Sequence, residues 1–189
     1  MDDYLDKLFT GIWNDLERAT KDGKHPFRYP SLATYSSQAG VSQRTLVLRK
    51  VFSPKRELLF YSDIRTQKVR DLSNDNTASI LFYHPKQRVQ LRFRCTLEVV
   101  KGVIESEQHW QNIPETQKKD YASQHAPGNT VTSTNNRYHT DLERGYENFC
   151  LLKCDINAID YLKLNREQHK RYIFRKNESD IWVANEVIP

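Results

Sequence analysis

The sequence has few cysteines, and their arrangement suggests neither a disulfide framework nor a metal site. The three cysteines, Cys95, Cys150 and Cys154, are an odd number, which predicts reduced thiols. Cys150 and Cys154 are four residues apart in a predicted strand and would lie about 13 Å apart on one face, too far for a disulfide or a shared zinc ion. We therefore expect buried cysteines with a packing role and no metal site.

The sequence also lacks long apolar runs and a concentrated basic block. No stretch reaches the ~18 apolar residues of a transmembrane helix, and the first residues, MDDYLDKLFTGIW, are acidic and lack the basic start of a signal peptide. These absences predict a cytoplasmic protein without a membrane partner. The net charge of +5 is spread along the chain, which disfavours nucleic acid as a partner and suits a small anionic ligand.

The composition that remains is that of a folded domain with several helices. The 189 residues, 38% hydrophobic and 28% charged, predict a single domain over residues 1–189, although two very small domains would also fit this length. Apolar residues recur at three- and four-residue steps in residues 1–22, which predicts an amphipathic N-terminal helix. Residues 64–73 predict a second helix, residues 106–124 one or two short helices, and residues 125–147 a long polar connection.

Nine short segments are rich in β-branched and aromatic residues and are predicted to be strands. They span residues 31–37, 44–52, 57–62, 77–83, 88–103, 149–156, 159–164, 170–176 and 180–184. Residues 53–56, Ser-Pro-Lys-Arg, are a turn signal that predicts an antiparallel hairpin between the second and third strands. This order predicts an α+β, mainly β fold, with a closed β-barrel and peripheral helices, because closure removes exposed strand edges.

Two of the predicted strands carry cations on a face that also bears apolar groups. Strict alternation would place Arg44 with Leu46 and Leu48, and would place Gln90 with Arg92 and Arg94. A solvated sheet face is the simplest interpretation of such a pattern. The pattern alone therefore does not identify a ligand site.

The segment from Tyr61 to Lys68 runs from a strand end into a helix start. It combines backbone donors, the hydroxyls of Ser62 and Thr66, and the ammonium of Lys68, which together would bind a phosphate well. Helix capping explains Ser62 and Thr66 equally well, and most lysines are simply solvated. Both interpretations of this segment stay open at this point.

The order of these motifs resembles that of the pyridoxamine 5'-phosphate oxidase-like FMN-binding split-barrel superfamily, and in particular its cyanobacterial-type FMN-binding subgroup. The resemblance covers residues 31–189. The matching segments are RTLVLR (44–49), LLFYSDIRTQKVRDL (58–72), TASILFYH (77–84), VQLRFRCTLE (89–98) and HKRYIF (169–174). It implies an FMN-binding split β-barrel, FMN as the cofactor, and a homodimer that holds FMN at the subunit interface.

The resemblance also implies a role for individual residues. Arg44 would contact the flavin phosphate, and Thr66, Gln67 and Lys68 stand where the family has its phosphate-gripping Ser-Arg-Lys. His169 is a candidate catalytic residue, with a structural role beside Arg171 or at the dimer interface as the alternative. The positions that match cofactor-binding residues of the family are Arg44, Thr45, Leu46, Val47, Leu48, Arg49, Tyr61, Ser62, Thr66, Gln67, Lys68, Gln90, Gln124, Tyr161 and Arg171.

Departures from the family pattern bear on the substrate. True oxidases of the family hold the substrate phosphate with a tyrosine, an arginine and a serine, whereas residues 109–124 here offer Trp110 and Ser123 but no arginine, and Glu167 replaces an arginine. We therefore expect an FMN-dependent oxidoreductase that acts on an unknown small molecule, and not efficient pyridoxamine 5'-phosphate oxidation. The alternatives are a flavin-binding or storage protein without turnover and a basic nucleic-acid-interaction module.

Overall fold

The computed structural model describes residues 2–36, 38, 40–130 and 142–189. In this part of the chain the helices are α1 (Asp3–Lys21), α2 (Gln67–Asn74), α3 (Ile104–Gln111), α4 (Glu115–Lys118) and α5 (Leu142–Asn148). The strands are β1 (Ser31–Ser36), β2 (Gly40–Thr45), β3 (Leu48–Phe52), β4 (Glu57–Asp63), β5 (Thr77–His84), β6 (Val89–Val100), β7 (Phe149–Lys163), β8 (Lys170–Lys176) and β9 (Trp182–Val187). The predicted α+β, mainly β class is confirmed.

All of these strands belong to one antiparallel sheet, in the order β2-β1-β5-β6-β7-β4-β3. Strand β7 pairs with β6 along its length, while its other edge pairs with β4 through its first half and with β8 through its second half. The sheet is split where β4 and β8 leave this shared edge. Within the described residues the terminal strands β2 and β3 do not pair, so the prediction of a closed barrel is wrong.

Two predicted strand boundaries are wrong for the same kind of reason. The predicted strand 44–52 is interrupted because the N–H of Leu46 donates to the carbonyl of Pro30 (3.0 Å), so the chain turns between β2 and β3. The predicted strands 149–156 and 159–164 are one strand, β7, because the register against β6 shifts at Asn157 and the strand continues through a bulge. Both outcomes depend on the neighbouring strand.

Helix α1 covers one face of the sheet with the apolar stripe that its sequence predicts. Its buried side chains include Phe9, Trp13 and Leu16. The rings of Trp13 and Phe93 are stacked at 6.2 Å, and Phe9 lies 5.1 Å from Phe174. Each large apolar side chain buried here contributes about 1.5–3 kcal/mol. No helix in the described ranges is long and apolar enough to cross a membrane.

Strand β4 is buried on both faces, and this positions the functional residues. Leu58 and Phe60 pack into the main core below α1, whereas Leu59 and Tyr61 pack into a second cluster with Trp110 of α3. The three cysteines are free and buried, as predicted. Helix α5 lies in the predicted connection 125–147, and residues 131–141 of that connection lie outside the described residues.

Candidate functional site

Two cations lie together where β2 passes the start of α2. The Arg44 guanidinium donates from Nη1 to Oγ1 of Thr34 (2.7 Å) and from Nη2 to Oγ of Ser42 (2.8 Å). The Lys68 ammonium donates to the hydroxyls of Ser62 and Thr66, both at 3.2 Å. We call Arg44, Ser62, Thr66 and Lys68 the cradle.

The electrostatics of the cradle favour an anion. Burial and the nearby charge of Arg44 lower the pKa of Lys68, and burial lowers the pKa of Arg44. Neither cation forms a salt bridge with a carboxylate in the described part of the chain. Partly buried charges of one sign are costly unless an opposite charge reaches them. The cradle therefore suits an oxyanion such as a phosphate group.

Helix α2 adds to this preference through its N-terminus. Thr66 is the N-cap residue, but its side chain does not cap the helix and instead donates to the carbonyl of Asp63 (2.8 Å). The first N–H groups of an α-helix have no intrahelical acceptor and carry a partial positive charge. Thr66 is therefore the N-cap residue by position, but it makes no side-chain capping bond and leaves the helix start available to an anion.

Two polar side chains beside the cradle are engaged elsewhere. Gln67 donates from Nε2 to Oδ1 of Asp71 (2.8 Å), so only its backbone faces the helix start. Arg65 forms an ion pair with Asp63 (2.6 Å) and donates to the carbonyl and hydroxyl of Ser123 (2.9 and 3.1 Å). Arg65 therefore fastens the segment after α4 to the start of α2 and does not act as a third free cation.

A second polar cluster lies on the other face of β4, under α3 and α4. The Tyr61 hydroxyl is 2.9 Å from Nδ1 of His109, and the Arg49 guanidinium lies over the Tyr61 ring at 5.0 Å from its centroid. Arg49 also donates to Oε1 of Gln117 (3.2 Å). Burial and then Lys50 lower the pKa of His109, and burial raises that of Tyr61, so both groups are neutral near pH 7. The cluster can hold or pass a proton.

His109 and Gln117 did not emerge from the sequence as site residues. Both belong to a polar stretch with no motif of its own, and only the packing of α3 and α4 over β4 brings them to Tyr61 and Arg49. The apolar partner of that packing is Trp110, which is buried. Trp110, which the sequence offered as a substrate residue, is therefore part of the core.

The chain between β2 and β3 borders the cradle mainly through its backbone. Thr45 is exposed, and Leu46 and Val47 are half-buried. Leu48 is fully buried in the core, so its side chain cannot reach a ligand. That residues 45–48 contact the flavin through their backbone stays a prediction.

The other predicted site residues lie at the far end of the sheet. Tyr61 is in register with Leu151, which is in register with Val100 at the end of β6, whereas Gln90 lies at the start of β6. At about 3.3 Å per residue, Gln90 is about 30 Å along the strand from the level of Tyr61. Arg171 on β8 lies at the same far level, in register with Leu162. Within one chain, Gln90 and Arg171 are therefore not brought to the end of the sheet that holds Tyr61.

Each residue of this distant group has its own surroundings. Arg171 donates to both carboxylate oxygens of Asp160 (3.0 and 2.8 Å), and Tyr161 is buried. His169 is exposed and accepts from the N–H of Asn165 (3.2 Å), so it is not the hydrogen-bonded partner of Arg171 that the sequence suggested. Gln124 does not belong to this group, because it is exposed next to the Ser123 that Arg65 holds near the start of α2.

Residues 11–101 match the family described as pyridoxamine 5'-phosphate oxidase, FMN-binding domain. The match covers slightly less than half of the chain. It includes the whole cradle, together with Arg49, Tyr61 and Gln90. No curated protein matches the chain in sequence.

Solved structures of the same fold extend the likeness over most of the chain. An FMN-binding protein from Nostoc punctiforme, related to pyridoxamine 5'-phosphate oxidase, has a TM-score of 0.79 at 23% identity and covers 95% of this chain and 96% of its own. PhzG from Burkholderia lata, solved with tetrahydrophenazine-1-carboxylic acid, has a TM-score of 0.76 at 16% identity, with 95% and 91% covered. General stress protein 26 from Bacillus anthracis reaches 0.52 at 13% identity, with 81% and 98% covered. These likenesses establish the split-barrel fold.

The residues present fit the cofactor of the matched family. FMN carries a phosphate, and the cradle offers two partly buried cations, two hydroxyls and a helix N-terminus. The family match covers residues 11–101 and indicates FMN as the cofactor. The structural likeness covers most of the rest of the chain and concerns the fold. Residues 11–101 therefore match an FMN-binding domain family, FMN is the cofactor that this match indicates, and the chain as a whole shares the split-barrel fold of the solved structures.

Proposed function

We propose that the cradle holds the FMN phosphate and that the protein is an FMN-dependent oxidoreductase acting on a small molecule. The observation that carries this proposal is the pairing of Arg44 with Lys68. Two cations from different elements share one partly buried space, and neither forms a salt bridge with a carboxylate among the described residues, although Asp71 and Asp63 lie nearby. Such an arrangement gains stability from a bound dianion.

Each part of the site has a task in this proposal. Arg44 and Lys68 neutralise the phosphate, and the start of α2 donates backbone N–H groups to it. The backbone of residues 45–48 borders the flavin ring, and Arg49 and Tyr61 form the wall beyond it. FMN supplies the redox chemistry when bound, while the protein binds and orients it. The neutral His109 beside Tyr61 holds or accepts a proton at Nδ1.

We further propose that a second copy of the chain completes the site. Gln90 and Arg171 lie about 30 Å along the sheet from Tyr61, so they cannot meet the flavin that their own chain holds. A homodimer in which each copy presents these residues to the other's flavin would contain two FMN molecules. A cytoplasmic location also stays a prediction.

The test is to identify and count the bound flavin. We expect freshly purified protein to be yellow and to release FMN at about one per chain, with a dimer mass by light scattering. The Arg44→Ala variant should lose flavin, and Arg18→Ala is the control because Arg18 forms an exposed surface pair with Asp15. A colourless monomer that refuses added FMN would overturn the proposal.

A flavin-binding or storage protein without turnover is the second candidate. It is favoured by residues 109–124, which bring His109 to Tyr61 and Gln117 to Arg49 but contain no arginine of the kind that holds the substrate phosphate in true oxidases. Reoxidation of the bound, reduced flavin decides between the two. Faster reoxidation than free flavin with any candidate acceptor indicates an oxidoreductase, and equal rates with all of them indicate storage. The basic nucleic-acid module rests only on the net charge of +5 and on the strand that carries Arg92 and Arg94.

A further inference from the structure

The outer face of the sheet carries a group of arginines where β6, β7 and β8 lie side by side. Arg94 on β6 and Arg175 on β8 are both in register with Ala158 on β7, which lies between them. Ser79 pairs with Arg94 from the neighbouring strand β5. Together with Arg92 and Asp160, these residues line a cavity of about 100 Å³. We call this cavity the arginine recess.

The charges of the recess are not balanced. Asp160 accepts hydrogen bonds from Arg92 and from Arg171. Burial alone would raise the pKa of Asp160, but these two arginines hold it below the ordinary value, so the carboxylate is ionised. Arg94 and Arg175 have no hydrogen-bond or ion-pair partner among the described residues. Three arginines thus line the recess against one carboxylate that is already shared.

The backbone geometry brings the two unpaired arginines within reach of one ligand. Neighbouring strands are about 4.8 Å apart, so Arg94 and Arg175 stand about 10 Å apart at their Cα atoms with only the methyl group of Ala158 between them. Both side chains are exposed, so solvent screens their mutual repulsion and leaves them free to turn toward an anion. A single oxyanion in the recess would accept hydrogen bonds from both guanidinium groups and from the Ser79 hydroxyl.

The volume of the recess limits the size of the anion. A water molecule occupies about 30 Å³ in the liquid, so 100 Å³ accommodates about three waters or one carboxylate or phosphate group. A whole flavin does not fit. The rest of any ligand must therefore lie outside the recess.

An apolar groove adjoins the recess and shares Ser79 and Arg94 with it. This groove has a volume of about 550 Å³ and is lined by Ala33, Tyr35, Val41 and Ala78. Tyr35 is 50% exposed and Val41 is 73% exposed, which is high for a tyrosine and a valine on one sheet face. An aromatic ring lying there would cover both side chains.

We propose that the arginine recess binds the carboxylate or phosphate group of a small aromatic molecule whose ring lies in the adjoining apolar groove. Arg94 and Arg175 contact the oxyanion, Ser79 donates to it, and Tyr35 and Val41 contact the ring. This site contains neither Arg44 nor Lys68, and it borders the proposed flavin site of the partner subunit because Asp160 in its wall binds Arg171. It also explains the arginines on β6 without nucleic acid.

Four probes test the proposal on the FMN-loaded protein: phenyl phosphate, benzoate, inorganic phosphate and benzamide. NMR of the arginine Nε–H groups reports on each guanidinium directly. We expect phenyl phosphate and benzoate to shift the signals of Arg94 and Arg175, inorganic phosphate to bind more weakly, and neutral benzamide to leave them unmoved. The stronger of the two aromatic anions identifies the group that the recess prefers.

Substitutions locate the binding. The Arg94→Gln, Arg175→Gln double variant should bind phenyl phosphate about tenfold more weakly or worse, because two charge-assisted contacts are lost. Arg18→Gln is the matched control and should bind as the original chain does. The Arg94→Lys, Arg175→Lys variant keeps both charges and should bind phenyl phosphate with intermediate affinity. It keeps the test valid if the double glutamine variant folds poorly.

Two outcomes would overturn the proposal. Unchanged affinity in the double glutamine variant would place the anion elsewhere. Loss of the probe signals in an Arg44→Gln, Lys68→Gln variant would assign the anion to the flavin cradle. Binding of phenyl phosphate and binding of FMN are measured separately in this cradle variant. Loss of FMN binding therefore does not prevent the measurement of phenyl phosphate binding to the recess.

Discussion

The cradle and the ion-pair group around Asp160 each bring two cations together, yet they differ in what neutralises them. In the cradle, Arg44 and Lys68 are partly buried and contact only hydroxyls. Around Asp160, Arg92 and Arg171 share one carboxylate. The proposed phosphate site therefore differs from the Asp160 group in having no salt bridge among the described residues, and not in its number of cations. Four measurements test this contrast.

The largest effect is expected from removing both cradle cations. Each charge-assisted contact to a phosphate contributes about 1.5–3 kcal/mol, so Arg44→Ala, Lys68→Ala should weaken FMN binding at least a hundredfold. Quenching of flavin fluorescence on titration measures the dissociation constant. Affinity within threefold of the original chain would mean that the phosphate lies elsewhere.

The cradle should also respond to alkaline pH, unlike the Asp160 group. Burial and Arg44 lower the pKa of Lys68 in the free protein, and a bound phosphate would raise it again. FMN affinity is therefore full below the lowered pKa and falls as pH rises through it, by about tenfold for the loss of one cation. Lys68→Arg should remove this decline. An FMN affinity that does not change up to pH 10 in the original chain would contradict the assignment of this decline to Lys68.

Removing the shared carboxylate should destabilise the fold by a smaller amount. Asp160→Asn leaves Arg92 and Arg171 facing each other, and we expect the free energy of unfolding to fall by about 1–2 kcal/mol. Because the pKa of Asp160 is lowered in the folded state, this contribution is present above the ordinary value of 3.8 and is lost as pH falls below it. Urea unfolding of the original chain and of Asp160→Asn at pH 7 and pH 3 measures both the loss of stability and its dependence on pH. Asp15→Asn, which breaks one surface pair, should cost less than 0.5 kcal/mol by comparison.

The smallest effect concerns the neutral cluster beyond the cradle. Tyr61→Phe removes the hydroxyl that lies 2.9 Å from Nδ1 of His109, a neutral hydrogen bond that contributes about 0.5–1.5 kcal/mol to stability. FMN affinity should change by less than about threefold, because no charge is lost. Tyr121→Phe is the matched control, since its hydroxyl has no partner in the described ranges. A large loss of FMN in Tyr61→Phe alone would give the hydroxyl a direct role in flavin binding.

Local pattern explains much of the fold, and the failures fall where strands compete for partners. The apolar stripe of α1 and the hairpin of β3 and β4 follow from side-chain periodicity and a turn signal. The break after Thr45 and the bulge at Asn157 do not, because each depends on a hydrogen bond or register with a distant segment. The prediction of a closed barrel failed for the same reason, because one edge of β7 pairs with β4 along its first half and with β8 along its second half.

The candidate site shows the same division. Its resemblance to a known family indicated Arg44 and Lys68 correctly as neighbours, although they are 24 positions apart in the sequence. His109 and Gln117 could not be found in this way, because their neighbours Tyr61 and Arg49 come from other elements. Periodicity reports which face a side chain occupies, but not which helix covers that face.

The sequence by itself determined most of the helices and strands, the buried stripe of α1 and the residue types that a phosphate site needs. Only the tertiary structure decided which cations form salt bridges. Asp160 forms one with Arg92 across 68 positions, whereas Lys68 forms none with any carboxylate among the described residues. Electrostatic interactions depend on distance and burial in space, and a linear pattern carries neither quantity for residues that meet only after folding.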